Sequence, residues 1–192
     1  MRSALLTAGL AFGALTAASA QQPAGSPADP PASGYRAEFL KDFGDLETKY
    51  VRLAEQMPAD KYGWRPAEGV RSVGEVFLHM SGANFSLTRR IGTPSPGSFN
   101  PQGYEKSTTD KAAIVEQLKQ SFAHMRSAAL KAADGDADKT MPWFGGSTIT
   151  QRAFLVFVLR HGAEHLGQSI AYARVNGIVP PWTEDAQRRS GQ

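Results

Sequence analysis

Two histidines four residues apart, His161 and His165, are the first feature of the sequence with chemical reach. On a helix that spacing puts both side chains on one face, about 6 Å apart at Cβ, close enough to share one ion. They belong to a series, Phe154, Phe157 or Val158, His161, His165, Gln168 and Tyr172, that recurs at steps of three and four. The imidazoles therefore fall on the stripe that faces a core. A third histidine, His79, follows Val76 by three and precedes Ala83 by four, on or beside the inward stripe of another helix. Buried imidazoles need partners, since an unpaired buried polar group costs about 1–3 kcal/mol. The bland solution is a hydrogen bond to a carbonyl for each ring. The sharper one is a single divalent ion satisfying all three. Three neutral imidazoles at about 2.0–2.1 Å, with water completing the shell, form the open arrangement of catalytic zinc, and nickel, iron and copper accept the same donors.

The remaining candidates are ranked by their neighbours. His124 has no histidine at helical spacing and reads as a flank residue of its helix rather than a ligand. Glu164, the candidate catalytic residue, and Gln168 are candidates for proton transfer or for supporting the ligands from behind, and helix geometry also permits Glu164 to be merely a neighbouring polar residue. Glu75, four before His79, has a simpler role as a helix cap. Trp64 and Trp143 are candidates to line a pocket or close a core. The chain contains no cysteine. A disulfide framework, a thiolate nucleophile, an iron–sulfur cluster and Cys-ligated zinc are all excluded, and any metal must be held by histidine and oxygen donors. His161-Gly162-Ala163-Glu164-His165 matches the H-x-x-E-H pattern of inverted zinc peptidases, whose Glu is the general base. The acids that follow, Glu184 and Asp185, lie in a polar stretch, so the peptidase reading lacks its further acidic ligand.

Four helical segments must position these residues, and no run shows a convincing strand alternation. The first spans about Tyr35 to Met57, with Phe39, Phe43, Leu46, Tyr50, Leu53 and Met57 in one stripe. The second starts at Ser72, where Glu75 completes a capping box, and carries Val76, Met80, Ala83 and Leu87 toward Ile91. The third begins near Thr109 with Ile114, Leu118, Phe122 or Ser121, Met125 and Ala129. The fourth opens near Thr150 and stops at Asn176-Gly177, with Pro180-Pro181 beyond. Four amphipathic helices bury their stripes against one another, so the expected fold is an all-α four-helix bundle over residues 35–182. Two long connections, Gly92 to Thr108 and Ala133 to Ile149, are of the kind that cover functional sites.

The flanks read differently. Arg2, the apolar run Ala4–Ala17 and Ala18-Ser19-Ala20 make residues 1–20 a secretory signal with cleavage expected after Ala20, and the run is too short to span a bilayer. The expected location is therefore secreted or periplasmic. Residues 21–34 form a Pro-rich leader, disordered for want of large apolar side chains, and 183–192 a polar, frayed tail. An apolar fraction of 41% supports a folded domain, and a net charge of +3 with scattered Lys and Arg argues against a nucleic-acid partner.

Three stretches resemble the DinB-like family of four-helix metalloproteins. Tyr62-Gly63-Trp64-Arg65-Pro66, then Arg71-Ser72-Val73-Gly74-Glu75-Val76-Phe77-Leu78-His79, is similar to that family's aromatic-Arg-Pro lead into its second helix. HGAEHLGQ at 161–168, continuing to Tyr172, Gly177 and Pro180-Pro181, resembles its two-histidine signature. The resemblance implies a bundle of that type, His79, His161 and His165 as ligands of a divalent zinc, nickel or iron ion, and a metal-dependent enzyme of hydrolase or thiol S-transferase type acting on a small molecule. It also implies a homodimer. The alternative is a non-catalytic metal- or ligand-binding bundle, in which the ion staples two helices together.

Overall fold

The stripes legible in the sequence meet as expected. In the computed structural model, which describes residues 31 and 33–191, Tyr35–Gln56 forms α1 and buries Phe39, Phe43, Leu46, Tyr50 and Leu53. Val73–Leu87 forms α2 behind a complete capping box: Glu75 N–H donates to Ser72 Oγ at 3.2 Å, and Ser72 N–H to the Glu75 carboxylate at 2.8 Å. Beyond Leu87 the helix tightens into a 3₁₀ turn, Thr88–Ile91, and ends at Gly92, whose φ of 82° a side chain would oppose. Asp110 caps α3, Lys111–Lys131, and Thr150 caps α4, Gln151–Val175. Phe43, Tyr50, Phe77, Phe122 and Phe154, contributed by all four helices, are fully buried in one core.

α1 and α4 approach each other closely at Gly162. A Cβ at Gly162 would stand 2.4 Å from Leu46 Cδ2, and Tyr50 donates its hydroxyl to the Gly162 carbonyl at 2.8 Å. The glycine between the two histidines of α4 thus lets α1 lie flat against the helix that carries them.

Two expectations are corrected. Thr140–Pro142 (β1) and Thr148–Thr150 (β2) pair antiparallel with Met141 opposite Ile149, where the sequence shows no strand. Three residues are too few for alternation to register, and the turn depends on Gly145 and Gly146, both at positive φ. The segment read as a frayed tail instead forms a short helix, α5, Pro181–Ser190. Pro181 stands at its first turn, where a missing N–H costs nothing. Two bonds dock it on α1, Arg52 to Asp185 at 2.7 Å and Gln56 to Glu184 at 2.8 Å. The expected signal segment, residues 1–20, and nearly all of the leader lie outside the described residues. Among the described residues no helix is long and apolar enough to cross a membrane.

Candidate metal centre

The capping box at Ser72 sets the phase of α2, and that phase turns His79 toward α4. From α4, His161 and His165 project one above the other onto the same spot. One ring nitrogen from each of the three histidines lies within 4.8 Å of the others, and all three residues are half-buried. His79 Nε2 and His161 Nε2 are 3.1 Å apart. Two donors at about 2.05 Å from an ion, subtending a tetrahedral angle, stand roughly 3.3 Å apart. The pair is already at ligand spacing, and His165, with its ring centroid 4.5 Å from that of His79, closes the group from the side.

The outer nitrogens decide which lone pairs face inward. His79 Nδ1 lies 2.7 Å from Glu105 Oε1, so the ring donates there and its Nε2 carries a free pair. His165 Nδ1 lies 2.8 Å from Gln168 Oε1, and the Gln168 amide donates in turn to the Tyr172 hydroxyl at 2.8 Å, which fixes the amide's orientation. Glu105 is itself gripped by Arg71, at 2.6 Å and 3.1 Å. His161 is steadied by stacking, its ring 5.7 Å from Phe157 at an interplanar angle of 12°. Trp143, on the turn of the hairpin, backs Phe157 at 4.8 Å.

The electrostatics keep His79 and His161 neutral. Burial, reinforced by His165, His79 and Arg71, pushes the His161 imidazole down to about 4. Burial also lowers His79, outweighing the hydrogen bond to Glu105 that opposes it. For Glu105 burial favours the acid, but the hydrogen bonds from Arg71 and His79 outweigh it and leave the carboxyl below its usual range. Neutral imidazoles beside a carboxylate are the protonation states a divalent cation requires. The donor set therefore fits such an ion, and by its chemistry accepts zinc, nickel or iron.

The structure brings together His79, His161, His165 and Gln168 from among the residues singled out in the sequence. It does not bring Glu164 to them: that carboxylate is 64% exposed and faces Arg160 at 3.8 Å. A residue one position before His165 on a helix points about 100° away from it. His124 lies elsewhere, its Nε2 3.1 Å from the Thr88 hydroxyl. Glu75 serves as the cap, and Trp64 packs edge-on against Tyr172 at 5.4 Å. Neither Glu105 nor a role for Arg71 is marked by the sequence pattern. Glu105 lies in the long connection after α2, where no periodicity marks it, and the only available signal was that such connections cover sites.

A four-helix bundle with three imidazoles converging between two of its helices defines a class of proteins whose histidines could hold a cation. The comparisons with known proteins give that class its family: a family model of the DinB superfamily matches residues 43–169, a span that includes all three histidines, and the chain belongs to that superfamily. The crystal structure of a DinB-like protein from Bacillus cereus ATCC 10987 has the same fold, with a TM-score of 0.65 at 18% identity, over 74% of this chain and 93% of that one. No curated protein matches the sequence.

Proposed function

We propose that this chain is a metal-dependent enzyme of the hydrolase or thiol-transferase type, with one divalent cation held by His79, His161 and His165. The observation that carries this reading is the convergence of three imidazoles, two of them already set by Glu105 and Gln168 to present bare Nε2 atoms. A bound divalent ion supplies Lewis acidity and lowers the pKa of a water or thiol in its open position. The protein's part is to keep the rings aimed. Glu105 holds the Nδ1 proton of His79, Arg71 holds Glu105, and Gln168 holds the Nδ1 proton of His165. Glu164 takes no part in this scheme, because its carboxylate faces Arg160 at the surface. The half-buried state of all three histidines supports an open catalytic site over an ion sealed between helices as a staple.

Cobalt(II) substitution tests the proposal. Visible bands of four- or five-coordinate intensity that shift on adding azide or a small thiol are expected, and bands indifferent to both would refute an open site. We also propose that the protein is exported after removal of residues 1–20. Mass spectrometry of protein recovered from outside the cytoplasm is expected to find Gln21 at the N-terminus, and an intact Met1 would refute export by that signal.

A further inference from the structure

Two cavities flank the connection between α2 and α3, and the same two side chains separate them. The smaller, about 200 Å³, begins at His79 and runs along α2 over Gly82, Ala83 and Ser86. The larger, about 520 Å³, opens between α2 and α3 beside Phe85 and His124. Phe99 and Tyr104 line both. The Tyr104 ring lies on Gly82, where an added Cβ would come within 3.1 Å of Cδ1, and packs against Phe99 with centroids 4.9 Å apart. Yet the Tyr104 hydroxyl is buried with no hydrogen-bond partner among the described residues. An orphaned buried hydroxyl biases the arrangement toward any alternative in which it is solvated, by roughly tenfold or more. The turn that carries Tyr104, residues 104–106, follows Gly103 at φ 72°, and the connection itself leaves α2 through Gly92 at φ 82°. Its next residue, Glu105, reaches His79.

We propose that Tyr104 is a displaceable partition, and that substrate joins the two cavities into one cleft by binding a polar group at the histidine centre and seating a flat apolar tail beside Phe85 and Phe99. The inference rests on the metal reading above and adds a substrate class to it. The walls carry the argument: Phe85 meets Phe99 at a tilt, centroids 5.4 Å apart, and Tyr104 edge to face, centroids 6.3 Å apart. His124 closes the far side with its ring edge-on to Phe85 at 5.7 Å. Its Nε2 is engaged by Thr88, and burial keeps it neutral. Such a surface receives an uncharged aromatic or aliphatic group.

The test uses the cobalt(II) form of the full chain and two hydroxamate probes, acetohydroxamate and 5-phenylpentanohydroxamate, titrated by the shift of the visible bands. The readout is the ratio of their affinities, which cancels changes at the metal itself. The phenyl probe is expected to bind at least about tenfold more tightly. Tyr104→Phe removes the orphan hydroxyl, favours the closed partition and lowers the ratio about tenfold. Tyr104→Ala removes the partition and raises it. Equal affinities in the unaltered chain, or a ratio that both variants leave unchanged or move in the same direction, would overturn the cleft while leaving the metal reading intact. A chain that takes up no cobalt overturns both.

Discussion

Replacing Glu105 by alanine removes the acceptor that holds the His79 Nδ1 proton. The bond is short, 2.7 Å, and charge-assisted, because Arg71 keeps Glu105 ionised. Bonds of that kind contribute about 1.5–3 kcal/mol when buried. The Glu105 side chain is 37% exposed, so solvent screening takes the value to the lower part of the range, about 1.5–2 kcal/mol. That converts to about 10–30-fold weaker metal binding, within the range found for outer partners of histidine ligands. Glu105→Gln keeps an acceptor and loses the charge, so it falls between the two. The assay is competition for zinc against a chromophoric chelator, with thermal unfolding of the metal-free proteins to confirm that the fold is kept. An affinity within twofold of the unaltered protein in Glu105→Ala, with the fold intact, would refute the claim that this carboxylate sets the ligand.

Other consequences concern the frame around the site. Gly162→Ala pushes a methyl group into Leu46, and the overpacking, about 1–3 kcal/mol, outweighs a helix-propensity gain of about 1 kcal/mol. Denaturant titration is expected to show a net loss of up to about 2 kcal/mol that trimming Leu46 to Val relieves, and a net gain would contradict the tight crossing of α1 and α4. Arg52 holds Asp185 below the usual carboxylate range through their hydrogen bond. A depressed carboxyl stabilises the docked helix above its ordinary pKa and loses that contribution as pH falls through the lower folded value. The indole N–H signal of Trp182, the α5 residue that packs against the core, is therefore expected to stay unchanged down to about pH 4 and move only in stronger acid; movement already at pH 6 would count against it.

Much of this was readable from spacing. The core stripe of α1, the capping box at Ser72 and the shared face of His161 and His165 follow from three- and four-residue periodicity, which survives folding because each helix is long. The hairpin escaped because its strands are three residues each, and α5 because its charged face resembles a solvated tail until Arg52 and Gln56 are seen to meet it. Glu105 and Arg71 escaped for a different reason. Their pairing links positions 34 apart through a loop without periodicity, and only the tertiary path of that loop puts the carboxylate behind His79. Conversely, Glu164 looked chemical by its place in the His-x-x-Glu-His string, and the helical turn sends it to Arg160 instead.

Metal stoichiometry tests most directly whether one divalent ion sits on the three histidines. Protein purified without chelator and without a histidine tag, then analysed by inductively coupled plasma mass spectrometry, is expected to carry or take up close to one equivalent. A His79→Ala/His161→Ala variant that remains folded is expected to lose it. Protein that cannot be loaded, or a variant that retains a full equivalent, would contradict the account.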